Sequence, residues 1–186
     1  MSKAHNFSKV FEIFRINYIE VPLEYFKGDP YKTLISTLLS ARTKDEVTLE
    51  ASKSLFTKAP TIRALQQLNN VTIEQLIYPV GFYKTKARHL KLLAERILKE
   101  FKGIVPKTRE ELMSLPGVGR KTANLVLNRA FKIPAIAVDT HVHRITNLLG
   151  WVKTKTPQQT EIKLNKVLPK RYWPEANRLF VSIGRQ

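Results

Sequence analysis

Two residues in this chain sit where their types and spacing could do covalent chemistry: Lys121 and Asp139. Lys121 follows Leu115-Pro116-Gly117-Val118-Gly119-Arg120, and the apolar spacing from Arg120 to Phe131 predicts a helix that begins at the basic pair. On that helix Ala123, Val126, Leu127 and Ala130 project to one side. Lys121, Asn124 and Asn128 project roughly to the other, since residues i, i+3 and i+7 share a face. The lysine therefore points away from the expected packing face. It also lies in the first turn, where the helix dipole disfavours a cation. An amine that gives up its proton there can attack an electrophilic carbon such as a sugar C1′ and form a Schiff base. A lysine that simply contacts a phosphate beside Arg120 explains the same position equally well.

Asp139 stands in Ile136-Ala137-Val138-Asp139-Thr140-His141-Val142-His143-Arg144. An aspartate before a helix is a common N-cap. A carboxylate held there can also steady positive charge building at C1′ as a glycosidic bond breaks, or relay protons during Schiff-base formation and elimination. The two roles are compatible. A metal site built on Asp139, His141 and His143 is not expected, because positions two apart on a helix face away from each other and no cysteine or further histidine lies nearby. The two histidines read as packed or phosphate-side residues.

The segment that positions Lys121 is a tight turn between two short helices. Glycine accepts positive φ, and it removes the side chain that would hold another backbone at a distance. The amides after the turn open the next helix, where N–H groups and the dipole favour a phosphate. With the flanking Leu-Pro and the Arg-Lys pair, Gly117, Val118, Gly119 and Arg120 read as a sequence-independent grip on a nucleic-acid backbone. The charge agrees. Thirty-two Lys and Arg against fifteen Asp and Glu leave +17 over 186 residues, which favours a polyanionic partner.

The remaining elements are helical nearly throughout. Stripes or caps mark helices over Phe7–Ile19, Tyr31–Ser40, Lys44–Phe56, a short segment after Pro60, Thr72–Ile77 and Lys84–Phe101. Others follow over Thr108–Leu115 behind a capping box, Arg120–Phe131, Asp139–Leu149, Pro157–Leu168 and Glu175–Ile183. The fold class expected is all-α. No cysteine is present, which excludes disulfides, thiolate zinc sites, Cys-ligated iron–sulfur clusters and a thiol nucleophile. The first ten residues are polar, unlike a signal peptide, and no apolar run approaches the ~18 residues that span a bilayer. A soluble, intracellular protein of the cytoplasm and nucleoid (the nucleus in a eukaryote), without a membrane partner, is expected.

Four motifs in order carry a resemblance over about Pro30 to Arg185: Leu38-Leu39-Ser40-Ala41-Arg42-Thr43-Lys44-Asp45, Pro79-Val80-Gly81-Phe82-Tyr83-Lys84-Thr85-Lys86-Ala87, Leu115 to Ala123, and Val138 to Arg144. Together they resemble the endonuclease III family within the helix-hairpin-helix DNA glycosylase superfamily. The resemblance implies two helical lobes flanking a DNA-binding cleft. One is a six-helix barrel-like domain with the hairpin at 29–133; the other is formed by both termini, 1–28 with 134–186. It places the Schiff-base lysine at Lys121 and the catalytic aspartate at Asp139. It also puts Ser40, Arg42, Thr43, Phe82 and His141 on the DNA. Arg42 stands where the family usually has glutamine, at a side chain that enters the space left by an extruded base. Phe82 matches an apolar wedge that props the opened stack. A core aromatic after a turn is the plain alternative for Phe82.

The implied activity is base-excision repair: removal of damaged, oxidised pyrimidines from duplex DNA through a lysine Schiff base, followed by β-elimination at the abasic site. The protein is expected to act as a monomer on duplex DNA carrying a damaged base or abasic site, with no required cofactor. A monovalent cation held by hairpin carbonyls is part of the resemblance. Family members commonly continue, after the segment matching Ser182 to Gln186, into four cysteines that hold an iron–sulfur cluster. Their absence here corresponds to a cluster-free branch or a shortened chain. Two other readings compete. A monofunctional mismatch or uracil glycosylase of the same superfamily would use activated water and usually lacks lysine at the position of Lys121. A non-enzymatic hairpin module would need neither Lys121 nor Asp139.

Overall fold

The computed structural model describes residues 6–186. Residues 1–5, read above as the start of a polar terminus and of the second lobe, lie outside the described residues. Among those described every regular element is helical, as the periodicity predicts. The chain divides into two compact units, Pro22–Phe131 and the described residues up to Val21 joined by Lys132–Gln186.

The Pro22–Phe131 unit begins with a short 3-10 turn at Pro22–Phe26 and contains seven helices: α2 (Pro30–Ser40), α3 (Asp45–Lys58), α4 (Ile62–Gln67), α5 (Asn70–Ile77), α6 (Tyr83–Glu100), α7 (Arg109–Ser114) and α8 (Arg120–Phe131). Asp29 caps α2 by accepting the Lys32 N–H, with Pro30 in the first turn. Seven consecutive residues of α2, Thr33–Leu39, are buried. That is what a helix surrounded by α3, α6 and α8 requires. Its polar members are satisfied locally: Thr33 Oγ1 donates to Phe26 O at 2.7 Å. Along α6, Leu90, Leu93, Ala94 and Ile97 form the buried stripe, with α4 and α5 packed against the same helix. Thr108 caps α7 by accepting the Glu111 N–H, while its hydroxyl bonds the Glu111 carboxylate at 2.7 Å. The box therefore closes side chain to side chain. A buried ion pair, Glu24 Oε1 to Arg129 Nε at 2.7 Å, ties the 3-10 turn to the end of α8.

The other unit is built from α1 (Phe7–Ile16), α9 (Thr140–Leu148), α10 (Pro157–Val167) and α11 (Trp173–Arg185). α1 ends three residues short of the apolar stripe, at Asn17, whose side chain donates back to Ile13 O. Past it, Ile19 exchanges two hydrogen bonds with the Ser182 hydroxyl. An aromatic cluster fills this core: Phe11 stacks on Tyr172 at 4.3 Å between centroids, and Phe14 meets Phe180 edge-on at 5.0 Å. Trp151, which the sequence left without a role, belongs to it. The connector Ala135–Val138 is buried and anchored by Asn177 Nδ2 donating to Ala137 O.

Candidate functional site

The hairpin between α7 and α8 is closed by two short backbone bonds, Leu115 N–H to Leu112 O and Val118 N–H to Leu115 O, both at 3.1 Å. Its glycines differ. Gly117 has φ +78°, and a Cβ there would lie 2.8 Å from His89 Nδ1, so both the turn and the imidazole on α6 demand glycine. Gly119 has ordinary backbone, and a Cβ would meet nothing within 4 Å. Packing gives no reason for glycine there; an open backbone at a helix start does. Val118 is buried, and its N–H is spent inside the turn on Leu115 O.

Lys121 is exposed in the first turn of α8, a turn with no acidic residue. Among the described residues nothing pairs with its ammonium. Asn124, grouped with it by helical projection, is a correction. It is fully buried and accepts from Arg109 Nε at 2.8 Å, because α8 packs against both α2 and α7 and has too little free face to keep Asn124 outside.

Asp139 is the N-cap of α9. Its Oδ1 accepts the Val142 N–H at 2.9 Å and its carbonyl accepts the His143 N–H at 2.9 Å. One carboxylate oxygen holds the helix start, and the residue is half-buried at the end of a buried connector. His141 packs its ring on α11, where a Cβ at Gly184 would clash with it at 2.3 Å. His143 shares a 2.6 Å hydrogen bond with Thr160, inside a polar network with Asn147 and Thr154. Among the described residues no group of three or more His, Asp or Glu side chains is arranged to hold a metal ion.

The two remaining loops meet each other. Arg42, between α2 and α3, and Phe82, at the start of α6, both adopt left-handed backbone (φ 56° and 58°). The Arg42 guanidinium lies over the Phe82 ring, 4.9 Å from its centroid. Phe82 is 60% exposed, so it is no core aromatic. Beneath the pair, the Thr43 hydroxyl accepts the Gly81 N–H at 3.0 Å. The missing Cβ of Gly81 would stand 2.6 Å from Arg42 O. The Ser40 hydroxyl is turned back on its own helix, donating to Thr37 O at 2.7 Å.

Sequence reasoning missed Lys86. Its ammonium is buried and donates to Leu39 O (2.7 Å), Ala41 O (2.6 Å) and Thr43 Oγ1 (3.3 Å). Burial pushes its pKa down to about 8. The signal was present: 86, 90, 93 and 97 form one stripe of α6, and a lysine in an otherwise apolar row is anomalous. His89, also unassigned from sequence, is the side chain that fits against Gly117.

A glycine hairpin feeding a basic helix start, on an all-helical scaffold, defines the helix-hairpin-helix class of DNA repair proteins, and residues 35–170 match the family model described as HhH-GPD superfamily base excision DNA repair protein. Among relatives, endonuclease III of Thermotoga maritima is 47% identical over 89% of this chain and 78% of its own length. Endonuclease III-like protein 1 of Gallus gallus is 43% identical over 84% of this chain and 57% of its own length. A solved trapped endonuclease III–DNA covalent intermediate superposes with a TM-score of 0.86 at 35% identity, covering 96% of this chain and 82% of that one. A thermostable thymine-DNA glycosylase, 22% identical, shares the fold with a TM-score of 0.82. The chain belongs to the endonuclease III family of the HhH-GPD superfamily.

Proposed function

We propose that this protein excises damaged, oxidised pyrimidines from duplex DNA and cleaves the resulting abasic site, with Lys121 as nucleophile and Asp139 as its carboxylate partner in the chemistry. Base-excision repair as a DNA glycosylase and abasic-site lyase is the activity of its family. The residue roles and the substrate are the proposal. The observation that carries it is Lys121 itself: an exposed ammonium without an ion-pair partner among the described residues, one position past the hairpin, in a first turn that holds no acid.

In this reading the backbone at Gly117–Gly119 and the start of α8 hold a phosphate. Arg42 enters the gap left by the extruded base and Phe82 props the stack. The Lys121 ammonium gives up a proton, its amine attacks C1′, the C1′–N bond to the base breaks, and the base leaves with a proton. The sugar ring opens to the Schiff base. Loss of a 2′ proton then expels the 3′ phosphate in β-elimination, and water releases the amine. Asp139, fixed by its cap bond, steadies the charge at C1′ and relays these protons. A monovalent cation would sit against hairpin carbonyls, of which Leu115 O already accepts Val118 N–H; no step passes through it. The lobes expected at 29–133 and at 1–28 with 134–186 belong to the same proposal.

Borohydride trapping on a duplex with a thymine glycol or an abasic site tests it. A covalent protein–DNA adduct that disappears in Lys121→Ala supports the Schiff base. Base release without an adduct points to a water-using glycosylase, and binding without either product points to a DNA-binding module.

A further inference from the structure

The buried lysine of α6 serves neither the core nor the proposed chemistry. An ammonium has three N–H donors, and Lys86 spends all three on oxygens of one loop, Leu39 O, Ala41 O and Thr43 Oγ1. Among the described residues no carboxylate pairs with it. Burying a cation against neutral acceptors alone is a costly way to close a turn. The loop it closes carries Arg42, and four positions before it, at the cap of α6, stands Phe82.

Both of these exposed residues hold left-handed backbone without being glycine. Lys102 and Lys132 do the same just past the ends of α6 and α8, as helix ends commonly do. At Arg42, just past α2, the conformation is therefore a helix stop, whereas at Phe82, ahead of α6, it is strained. Their mutual contact does not impose the Phe82 conformation, because an exposed cation–π pair is weaker than the strain of even one such residue. The restraint comes from below. Lys86 pins Ala41 and Thr43, Thr43 in turn holds Gly81 N–H, and Gly81 lets the Arg42 carbonyl approach where any Cβ would collide.

We propose that Lys86 is a positioning residue that locks the Arg42 and Phe82 loops into one preassembled unit, so that the arginine and the aromatic enter DNA together and discriminate the opposite base as a pair. This rests on the reading that Arg42 and Phe82 meet opened DNA. It assigns to the α6 lysine the step that extrudes the base, separate from the step that breaks bonds.

The test compares wild type with Lys86→Met, which keeps chain length but removes the donors. Four readouts are needed: single-turnover excision of thymine glycol opposite each of the four bases, borohydride trapping on an abasic duplex, 2-aminopurine fluorescence opposite the lesion, and thermal unfolding. Excision should fall at least ~10-fold with opposite-base preference flattened and the 2-aminopurine rise diminished, while abasic trapping, which has no base to extrude, falls less than ~3-fold. Combining Lys86→Met with Phe82→Ala should be little worse than Phe82→Ala alone, as for groups acting as one unit. Equal losses in excision and trapping, or additive losses in the double variant, overturn the proposal. If Lys86→Met does not fold, Thr43→Val removes the shared oxygen from both Lys86 and Gly81 and is read the same way. A wild type that traps no DNA overturns the functional reading instead, and the 2-aminopurine signal alone then decides the clamp.

Discussion

Two lysines near the starts of two helices in one unit have opposite fates. Lys121, second residue of α8, is exposed with no acid in its turn. Lys86, fourth residue of α6, is buried with all three donors spent. The hairpin that delivers Lys121 is held by backbone and glycine, which leaves the side chain unencumbered. The loops above Lys86 are held by the side chain itself, which leaves Arg42 and Phe82 unencumbered. In the proposed reading the same residue type is thus reagent in one region and fastener in the other, and environment assigns the role.

The sharpest way to break that comparison is to remove the reagent. Lys121→Ala should abolish the trapped adduct and lower strand cleavage by ~10³-fold or more, because a nucleophile that acts within a unit cannot be partly replaced. Duplex affinity should stay within ~3-fold by fluorescence anisotropy, since one charge among a net +17 is a small part of the phosphate term. A proportional loss of affinity and cleavage would make Lys121 a phosphate contact.

Asp139→Asn separates cap from chemistry. Asparagine caps about as well as aspartate, so thermal stability should hold within ~0.5 kcal/mol, whereas Asp139→Ala should cost ~1 kcal/mol through loss of the Val142 N–H bond. Turnover should fall ~100-fold or more in both variants. A fully active Asp139→Asn enzyme would reduce the residue to a cap.

What was legible beforehand follows a physical line. Asp29, Pro30, Thr108 and Asp139 lie at helix starts because capping is local chemistry, and among the described residues the eleven α-helices sit close to where periodicity put them. The two 3-10 turns at Pro22–Phe26 and Lys170–Tyr172 escaped, being too short to show a period. Lys121 and Asp139 stood out by position. Asn124 was misjudged because a projection knows one helix and not the two packed around it. The fit of His89 against Gly117, and the contact between Arg42 and Phe82, depend on residues about forty or fewer positions apart whose approach no spacing encodes.

The fastener has its own signature in pH. Lys86 holds its proton less tightly in the folded chain, at about 8, than at its ordinary value of 10.5. Between those values the unfolded chain binds more protons, so this residue makes stability rise with pH across the window. The rise from pH 8 to 10 should be about 2 kcal/mol as the burial penalty is relieved, and absent in Lys86→Met. Tyr31, whose half-buried phenol donates to Ala59 O and has its pKa raised, titrates in the opposite sense above pH 10 and sets the upper limit. Denaturant melts of the pair across pH 8–10 check this; parallel curves would mean that the ammonium is not desolvated.

The smallest effect lies within the hairpin, where its two glycines repeat the contrast between fastening and leaving open. Gly117→Ala meets both a positive φ and the His89 ring, so it should destabilise by ~1–2 kcal/mol and weaken DNA binding as the turn distorts. Gly119→Ala meets nothing and has ordinary backbone, so its melting curve should match wild type or rise by a few tenths of a kcal/mol through the restricted unfolded chain. Its cost should appear only on DNA, as a ~3- to 10-fold loss of duplex affinity when a methyl group holds the phosphate away from the start of α8. An unchanged affinity in Gly119→Ala would mean that the backbone there does not touch DNA. The phosphate grip would then have to move to the side chains of Arg120 and Lys121, which would return Lys121 to the role of a phosphate contact.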